Sequence, residues 1–112
     1  LHLKANELAG HLSYGQQKLL EIGRLLAFDP DLILLDEPAA GVNPTMLEKI
    51  SALILRLQKI GKTILFIEHD MEFVMQLADT VIVLDYGKEI AVGKPRDIQN
   101  NKRVIDAYLG GT

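Results

Sequence analysis

Two short apolar runs separated by a helical segment constrain the fold of this chain more than any other feature. Residues 32–35 (LILL) and 63–67 (TILFI) are each bounded by turn-forming residues. Unbroken apolar runs of this length are typical of strands that are buried on both faces of a parallel sheet. A strand, a crossover helix and a second strand form a unit in which the two strands lie parallel. The pattern therefore predicts an α/β layer.

The segment between these runs has the signals of a single helix. Asn43 is a good N-cap and Pro44 a good first helical residue, while Gly61 ends the helix after about residue 60. Four apolar residues at helical spacing are expected to face inward: Leu47, Ile50, Ile54 and Leu57.

Further elements are expected on both sides of this unit. Ser13 and Gln16 have the spacing of a capping box, which predicts a helix from Ser13 to about residue 28. Asp70 is expected to cap a helix over residues 71–78, and residues 81–84 and 89–92 are expected to form a β-hairpin. Two short helices over 95–99 and 102–109 complete the prediction, whereas residues 1–12 are weakly patterned. The expected fold class is α/β, with a mainly parallel sheet, flanking helices and a C-terminal hairpin.

The composition excludes several classes of protein. A chain of 112 residues with 48% hydrophobic and 24% charged residues is typical of one small folded domain and argues against disorder. A net charge of −3 without a dense basic cluster argues against a nucleic-acid partner. The absence of cysteine excludes disulfides and thiolate metal sites. No apolar stretch reaches the roughly 18 residues of a membrane span. The first residue is Leu1 rather than Met, which favours a fragment, a processed chain or a truncated gene.

Acidic residues and a histidine follow the two predicted strands. Asp36 and Glu37 end the first, and Glu68, His69 and Asp70 follow the second. Open α/β sheets bind ligands at the carboxyl ends of their strands, so these side chains are expected to share one edge. Asp36 can hold Mg²⁺ through water, Glu37 can polarise an attacking water, and His69 can donate to a phosphate. Each also has a structural explanation, as a cap or a solvated side chain, and Glu68 and Asp70 are expected to be only that.

The start of the first helix is a possible anion site. The Ser13 hydroxyl, the Gly15 amide and the helix dipole can all attract a phosphate. We therefore expect the amides of Gly15 and Gln16 to be exposed and unpaired. The alternative is an ordinary capping box.

Taken together, these motifs resemble the ABC ATPase family. Residues 12–16 resemble its signature motif, with Tyr14 where the commonest form has Gly. Residues 32–37 resemble its Walker B motif, and residues 39–43 resemble its D-loop. His69 stands at the position of its switch histidine. Residues 36–44, 68–71 and 107–110 are similar to those of the ATP-binding subunits of branched-chain amino acid importers. Lipopolysaccharide-export ATPases share some of these features.

The resemblance implies a partial P-loop NTPase fold of the ABC ATPase type, with ATP and Mg²⁺ as cofactors. It implies that Asp36 holds Mg²⁺ through water, that Glu37 is the general base and that His69 senses the γ-phosphate. It further implies contacts across a head-to-tail dimer of ATPase subunits. Ser13, Gly15 and Gln16 would contact the ATP of the opposite subunit. Asn43, where many relatives have Asp, would make a D-loop contact at the dimer interface. Transmembrane permease subunits would be further partners and would hold the protein at the cytoplasmic side of the membrane.

The family's phosphate loop is missing from this sequence. No G-x-x-x-x-G-K-[ST] pattern occurs, and the aromatic adenine contact and Q-loop are expected upstream of Leu1. Residues 1–112 are thus expected to be the C-terminal portion of one nucleotide-binding domain. Three hypotheses follow: an importer ATPase segment that is active only with its N-terminal half, a non-catalytic signature-half module, and a DNA-repair or ribosome-associated ABC protein, which the acidic balance disfavours. The solute is not encoded in these residues.

Overall fold

The computed structural model describes residues 13–109, which form two compact units, 13–69 and 70–109. The first contains α1 (Tyr14–Ala27), β1 (Leu32–Asp36), α2 (Pro44–Lys59) and β2 (Thr63–Ile67). The second contains α3 (Met71–Leu77), β3 (Val81–Asp85), β4 (Lys88–Gly93), α4 (Pro95–Gln99) and α5 (Lys102–Val104). The weakly patterned residues 1–12, including Leu12 of the signature-like motif, and residue 110 of the importer-like ending lie outside the described residues.

Strands β1 and β2 are paired in parallel, which confirms the prediction from the apolar runs. Leu32 lies opposite Thr63 and Asp36 lies opposite Ile67. The ladder continues past both ends, because the Thr63 amide donates to the Asp31 carbonyl at 2.9 Å and the Glu37 amide donates to the Ile67 carbonyl at 2.8 Å. The residues that follow the two strands are therefore held at one edge of the sheet.

Local capping sets the ends of the crossover helix α2. The Asn43 side chain accepts a hydrogen bond from the Met46 amide at 2.8 Å, and Pro44 is the first helical residue. At the other end Gly61 has a φ of 96°, a left-handed conformation that favours glycine. The amides of Gly61 and Lys62 donate back to the carbonyls of Gln58 and Leu57, which forms a Schellman motif.

The core of the first unit lies between α1, α2 and one face of the sheet. α1 packs against α2, and α2 packs against β2. The buried apolar residues are Ile22, Ile33, Met46, Ile50, Ile54 and Leu57. Met46 takes the place expected for Leu47, which is only half-buried.

The prediction that both strands are buried on both faces is wrong. Ile33 is the one fully buried residue of β1, and β2 has none. The other face of the sheet, here called the open sheet face, exposes 54% of Leu32, 64% of Leu34, 54% of Leu65 and 63% of Ile67. The apolar run shows which residues favour burial, but each face of the sheet must be covered by a packing layer from other parts of a chain. Residues 13–109 supply such a layer on only one face.

The second unit is built on the predicted hairpin. β3 and β4 pair antiparallel with a register shift between Val83 and Leu84, and both α4 and α5 pack against β4. The Asp70 side chain caps α3 by accepting from the Phe73 amide, as expected. The predicted helix over 102–109 is divided into α5 and a π-helical turn, Ile105–Leu109. None of the helices within residues 13–109 is long and apolar enough to cross a bilayer.

Candidate functional site

The carboxylate of Glu37 and the imidazole of His69 meet at the carboxyl edge of the parallel sheet. His69 Nδ1 lies 2.8 Å from Glu37 Oε1, and the two side chains are 72% and 46% exposed. This confirms the prediction that both residues face the same side of the site. Since Nδ1–H donates to Glu37, Nε2 carries a second proton only when the imidazole is charged. His69 can therefore hold Glu37 in either protonation state, but it can donate to a phosphate at the same time only as the cation.

The backbone of Glu37 has an uncommon conformation. Its φ is 48°, a left-handed value that few non-glycine residues adopt. Such a conformation persists only where the surroundings over-determine it. Here the amide donates to the Ile67 carbonyl, while the carbonyl accepts from the Ala40 amide at 3.1 Å and from Lys18 Nζ at 2.6 Å. Strained and tightly held residues of this kind occur often at functional sites.

Asp36 is placed to reach a ligand at the same edge. It is exposed, and as the register partner of Ile67 it lies on the open sheet face. Within residues 13–109 its carboxylate has no hydrogen-bond or ion-pair partner, and no cluster of three or more acidic or histidine side chains forms there. Mg²⁺ commonly binds proteins through one or two carboxylates and keeps several waters. A single free carboxylate fits that mode of binding.

The expectation of unpaired amides at the start of α1 is wrong for Gln16. Its amide donates to Ser13 Oγ at 3.2 Å, and its side-chain oxygen accepts from the Ser13 amide at 3.0 Å. The capping box, which was the alternative, is therefore formed, because it satisfies these amides locally. Gly15 is buried rather than exposed, and it packs against Met46 of α2. The exposed Ser13 hydroxyl keeps its own proton for donation.

Two residues that contact the loop after β1 were not predicted from the sequence. Lys18 Nζ donates to the carbonyls of Glu37 at 2.6 Å and Ala40 at 2.9 Å. Glu68, expected to be solvent-facing or a helix cap, accepts from the Ala39 amide at 2.6 Å. Both contacts join residues far apart in sequence, and nothing in periodicity or capping patterns signals them.

Asn43 lies at the end of this loop and uses its side-chain oxygen to cap α2. It is exposed. The D-loop contact expected of it stays a prediction, because the cap explains its position without any partner.

Comparison with known families places this site in context. Residues 1–40 match the family model described as ABC transporter, and residues 88–112 match the one described as branched-chain amino acid ATP-binding cassette transporter. Together with the fold and the strand-end site, these matches show that the chain is similar to the ABC transporter ATP-binding family.

Within that family, the similar proteins include branched-chain amino acid transport ATP-binding proteins. The chain is 47% identical over 107 residues to the high-affinity branched-chain amino acid transport ATP-binding protein BraF of Pseudomonas aeruginosa, a match that covers 95% of this chain and 42% of that protein. It is 46% identical to LivG of Escherichia coli K12 with the same coverage. The chain thus spans less than half the length of these relatives.

Solved structures show the same fold. A nucleotide-free ATP-binding cassette from an ABC transporter matches with a TM-score of 0.85 and 37% identity, covering 94% of this chain and 43% of that one. The ADP conformation of MJ1267, an ATP-binding cassette of an ABC transporter, matches with a TM-score of 0.82 and 38% identity, covering 93% and 42%. The predicted ABC ATPase fold class is confirmed.

Proposed function

We propose that residues 1–112 are the C-terminal portion of the nucleotide-binding domain of an ATP-hydrolysing ABC transporter subunit. The observation that carries the proposal is the 2.8 Å contact between Glu37 and His69 at the end of two parallel strands, beside the free carboxylate of Asp36. A base, a group that holds the base, and a metal-ligating carboxylate on one sheet edge are among the protein groups that hydrolysis of a phosphoanhydride needs.

The chain's own residues have distinct parts in this chemistry. Asp36 would hold Mg²⁺ through water, and the ion would supply positive charge near the phosphates of ATP. Glu37 orients the attacking water and accepts its proton. His69 holds the Glu37 carboxylate through Nδ1 and, when charged, donates to the γ-phosphate through Nε2.

The domain proposed here is completed by a second, N-terminal half that carries the phosphate loop. The open sheet face supports this, because four large apolar side chains on one face of a sheet are rarely left in water and are usually covered by another layer. Asp36 lies on that face, so the segment covering it would bring the phosphates to the carboxylate. The relatives' greater length is in accord with this arrangement.

In the assembled transporter two such subunits are proposed to face each other head to tail. Ser13, at the start of the helix that also carries Gly15 and Gln16, then contacts the ATP held by the opposite subunit with its hydroxyl as donor, and Asn43 lies at the subunit interface. Membrane permease subunits hold the dimer at the cytoplasmic side of the membrane. The names of BraF and LivG, which describe branched-chain amino acid transport, support branched-chain amino acids as the solutes. Import is the direction that we propose.

Phosphate release tests the catalytic proposal. The chain alone is expected to show no turnover, and joining it to the N-terminal half of a branched-chain amino acid transport ATPase subunit is expected to restore it. In the joined protein Glu37→Gln should abolish turnover and preserve ATP binding, and His69→Ala should reduce turnover strongly. Glu48→Gln, an exposed carboxylate on α2, is the matched control and should leave the rate unchanged.

Two outcomes would contradict the proposal: turnover by the chain alone, and full activity of the Glu37→Gln protein. A joined protein that binds ATP but never hydrolyses it would favour the non-catalytic module instead. Uptake of leucine by vesicles that contain the joined protein and its permease subunits tests the direction and the solute.

A further inference from the structure

The ammonium group of Lys18 joins α1 to the loop that carries Glu37. Lys18 Nζ donates at 2.6 Å to the Glu37 carbonyl and at 2.9 Å to the Ala40 carbonyl. The side chain is partly buried, and its ammonium lies 4.9 Å from the centre of the Tyr14 ring, within the range of a cation–π contact. A charged donor between two carbonyls makes stronger hydrogen bonds than a neutral one would.

The two carbonyls converge because residues 37–40 form a turn. The Ala40 amide donates to the Glu37 carbonyl at 3.1 Å, so that oxygen accepts from both Ala40 and Lys18. Glu68 holds the Ala39 amide of the same turn from the end of β2. The turn is therefore fastened on one side by α1 and on the other by β2.

This fastening bears on the orientation of the Glu37 side chain. Glu37 has a left-handed φ of 48°, which costs roughly 1–3 kcal/mol and persists only where surrounding contacts impose it. A carbonyl that relaxes from this conformation rotates about the same Cα that carries the side chain. The carboxylate would then move away from the position in which it meets His69.

The first turn of α1 also fits closely against this loop. A Cβ built on Gly41, whose φ is 70°, would lie 3.0 Å from the Tyr14 ring. Tyr14 thus covers Gly41 and places an aromatic face beside Lys18.

We propose that Lys18 is a positioning residue for Glu37. Its ammonium group holds the turn 37–40 in the conformation that presents the Glu37 carboxylate to His69 and to the attacking water. This inference rests on the proposed function, because it needs Glu37 to be the base.

Steady-state ATP hydrolysis by the joined protein tests the inference. A base misplaced by about 1 Å can cost roughly 100-fold in rate. Lys18→Met is therefore expected to lower kcat by roughly 10- to 100-fold, with little change in the KM for ATP, because Lys18 contacts protein carbonyls in this structure. Lys18→Arg can donate to both carbonyls and should restore most of the rate. Lys49→Met, on the exposed side of α2, is the matched control and should retain the parent kcat.

A double-mutant cycle separates action through Glu37 from a general structural effect. If Lys18 acts by placing the Glu37 carboxylate, Lys18→Met should have almost no effect on the slow single-turnover hydrolysis that remains when Glu37→Gln has abolished steady-state turnover. Equal losses of rate in both backgrounds, or an unchanged kcat in Lys18→Met, would overturn the inference. If Glu37→Gln itself left turnover intact, the proposed function would fail, which is a different result.

A milder variant and amide hydrogen exchange distinguish the loss of the Lys18 contact from misfolding of the Lys18→Met protein. Lys18→Gln keeps N–H donors for the two carbonyls but carries no charge, so its kcat should lie between those of the parent and Lys18→Met. In the chain itself, faster hydrogen exchange at the Ala40 amide is expected for Lys18→Met, with an unchanged far-ultraviolet spectrum. Parent-like exchange at Ala40 in a folded Lys18→Met chain would also overturn the inference, because the turn would then not depend on Lys18.

Discussion

Replacing Gly15 by alanine tests how closely α1 approaches α2. A Cβ at this position would lie 2.5 Å from Met46 Cγ, 3.2 Å from Met46 Cβ and 3.5 Å from a Val42 methyl. Carbon atoms in good contact are about 3.5–4.0 Å apart, so roughly 1 Å of movement is required at Met46. The clashing atoms are the first two of the side chain, so a change of the outer rotamers cannot relieve the overlap.

The expected free-energy change is the difference of two effects. Overpacking of a core contact costs about 1–3 kcal/mol, whereas alanine in place of glycine in a helix gains about 0.5–1 kcal/mol. Gly15→Ala should therefore lower the free energy of unfolding by about 0–2.5 kcal/mol, with a central value of about 1 kcal/mol. Gly23, in the same helix, has nothing within 4 Å of a built Cβ, so Gly23→Ala should show only the gain.

Urea and thermal unfolding of the chain, followed by circular dichroism, measure both variants. A change of 1 kcal/mol corresponds to roughly 4–8 °C in Tm for a small domain, so the two alanines should move Tm in opposite directions. In a Met46→Ala background the Gly15→Ala penalty should become much smaller, because Cγ is gone and only the 3.2 Å approach to Cβ remains. If Gly15→Ala stabilises the chain as much as Gly23→Ala does, the close approach of the two helices is wrong.

Two further predictions concern a helix cap and an ion pair. Asn43→Ala should cost about 1 kcal/mol in urea unfolding because the Met46 amide loses its acceptor, whereas Asn43→Asp should retain the cap; equal losses in both would contradict this. The hydrogen bond from Lys62 and the charge of Lys62 lower the pKa of Asp29. The ion pair therefore stabilises the fold fully at pH values above the ordinary carboxylate pKa of about 3.9, and this stabilisation is lost as the pH falls through the lowered pKa. Asp29→Asn should therefore destabilise the chain slightly at pH 7 and not at pH 2. Because Asp29 is exposed, the destabilisation at pH 7 should be smaller in high salt. A loss of stability that is independent of pH would refute the pairing.

The local elements of this chain could be predicted well from the sequence. The bounds of β2 follow from its apolar run and the turn residues beside it. The caps at Ser13, Asn43 and Asp70 and the stop at Gly61 follow from interactions between residues a few positions apart. The parallel pairing, and with it the meeting of Glu37 and His69, also follows, because a single crossover helix allows two apolar strands little other choice.

Contacts that join distant segments were decided only by the tertiary structure. The use of the Lys18 ammonium and the Glu68 carboxylate to hold one turn depends on how α1 and β2 lie against the loop after β1, and neither residue type nor spacing encodes that placement. The burial of Gly15 against α2 is of the same kind. The exposure of Leu34 and Ile67 shows the limit most clearly: an apolar side chain records a preference for burial, but whether it is buried depends on a packing layer that must come from elsewhere.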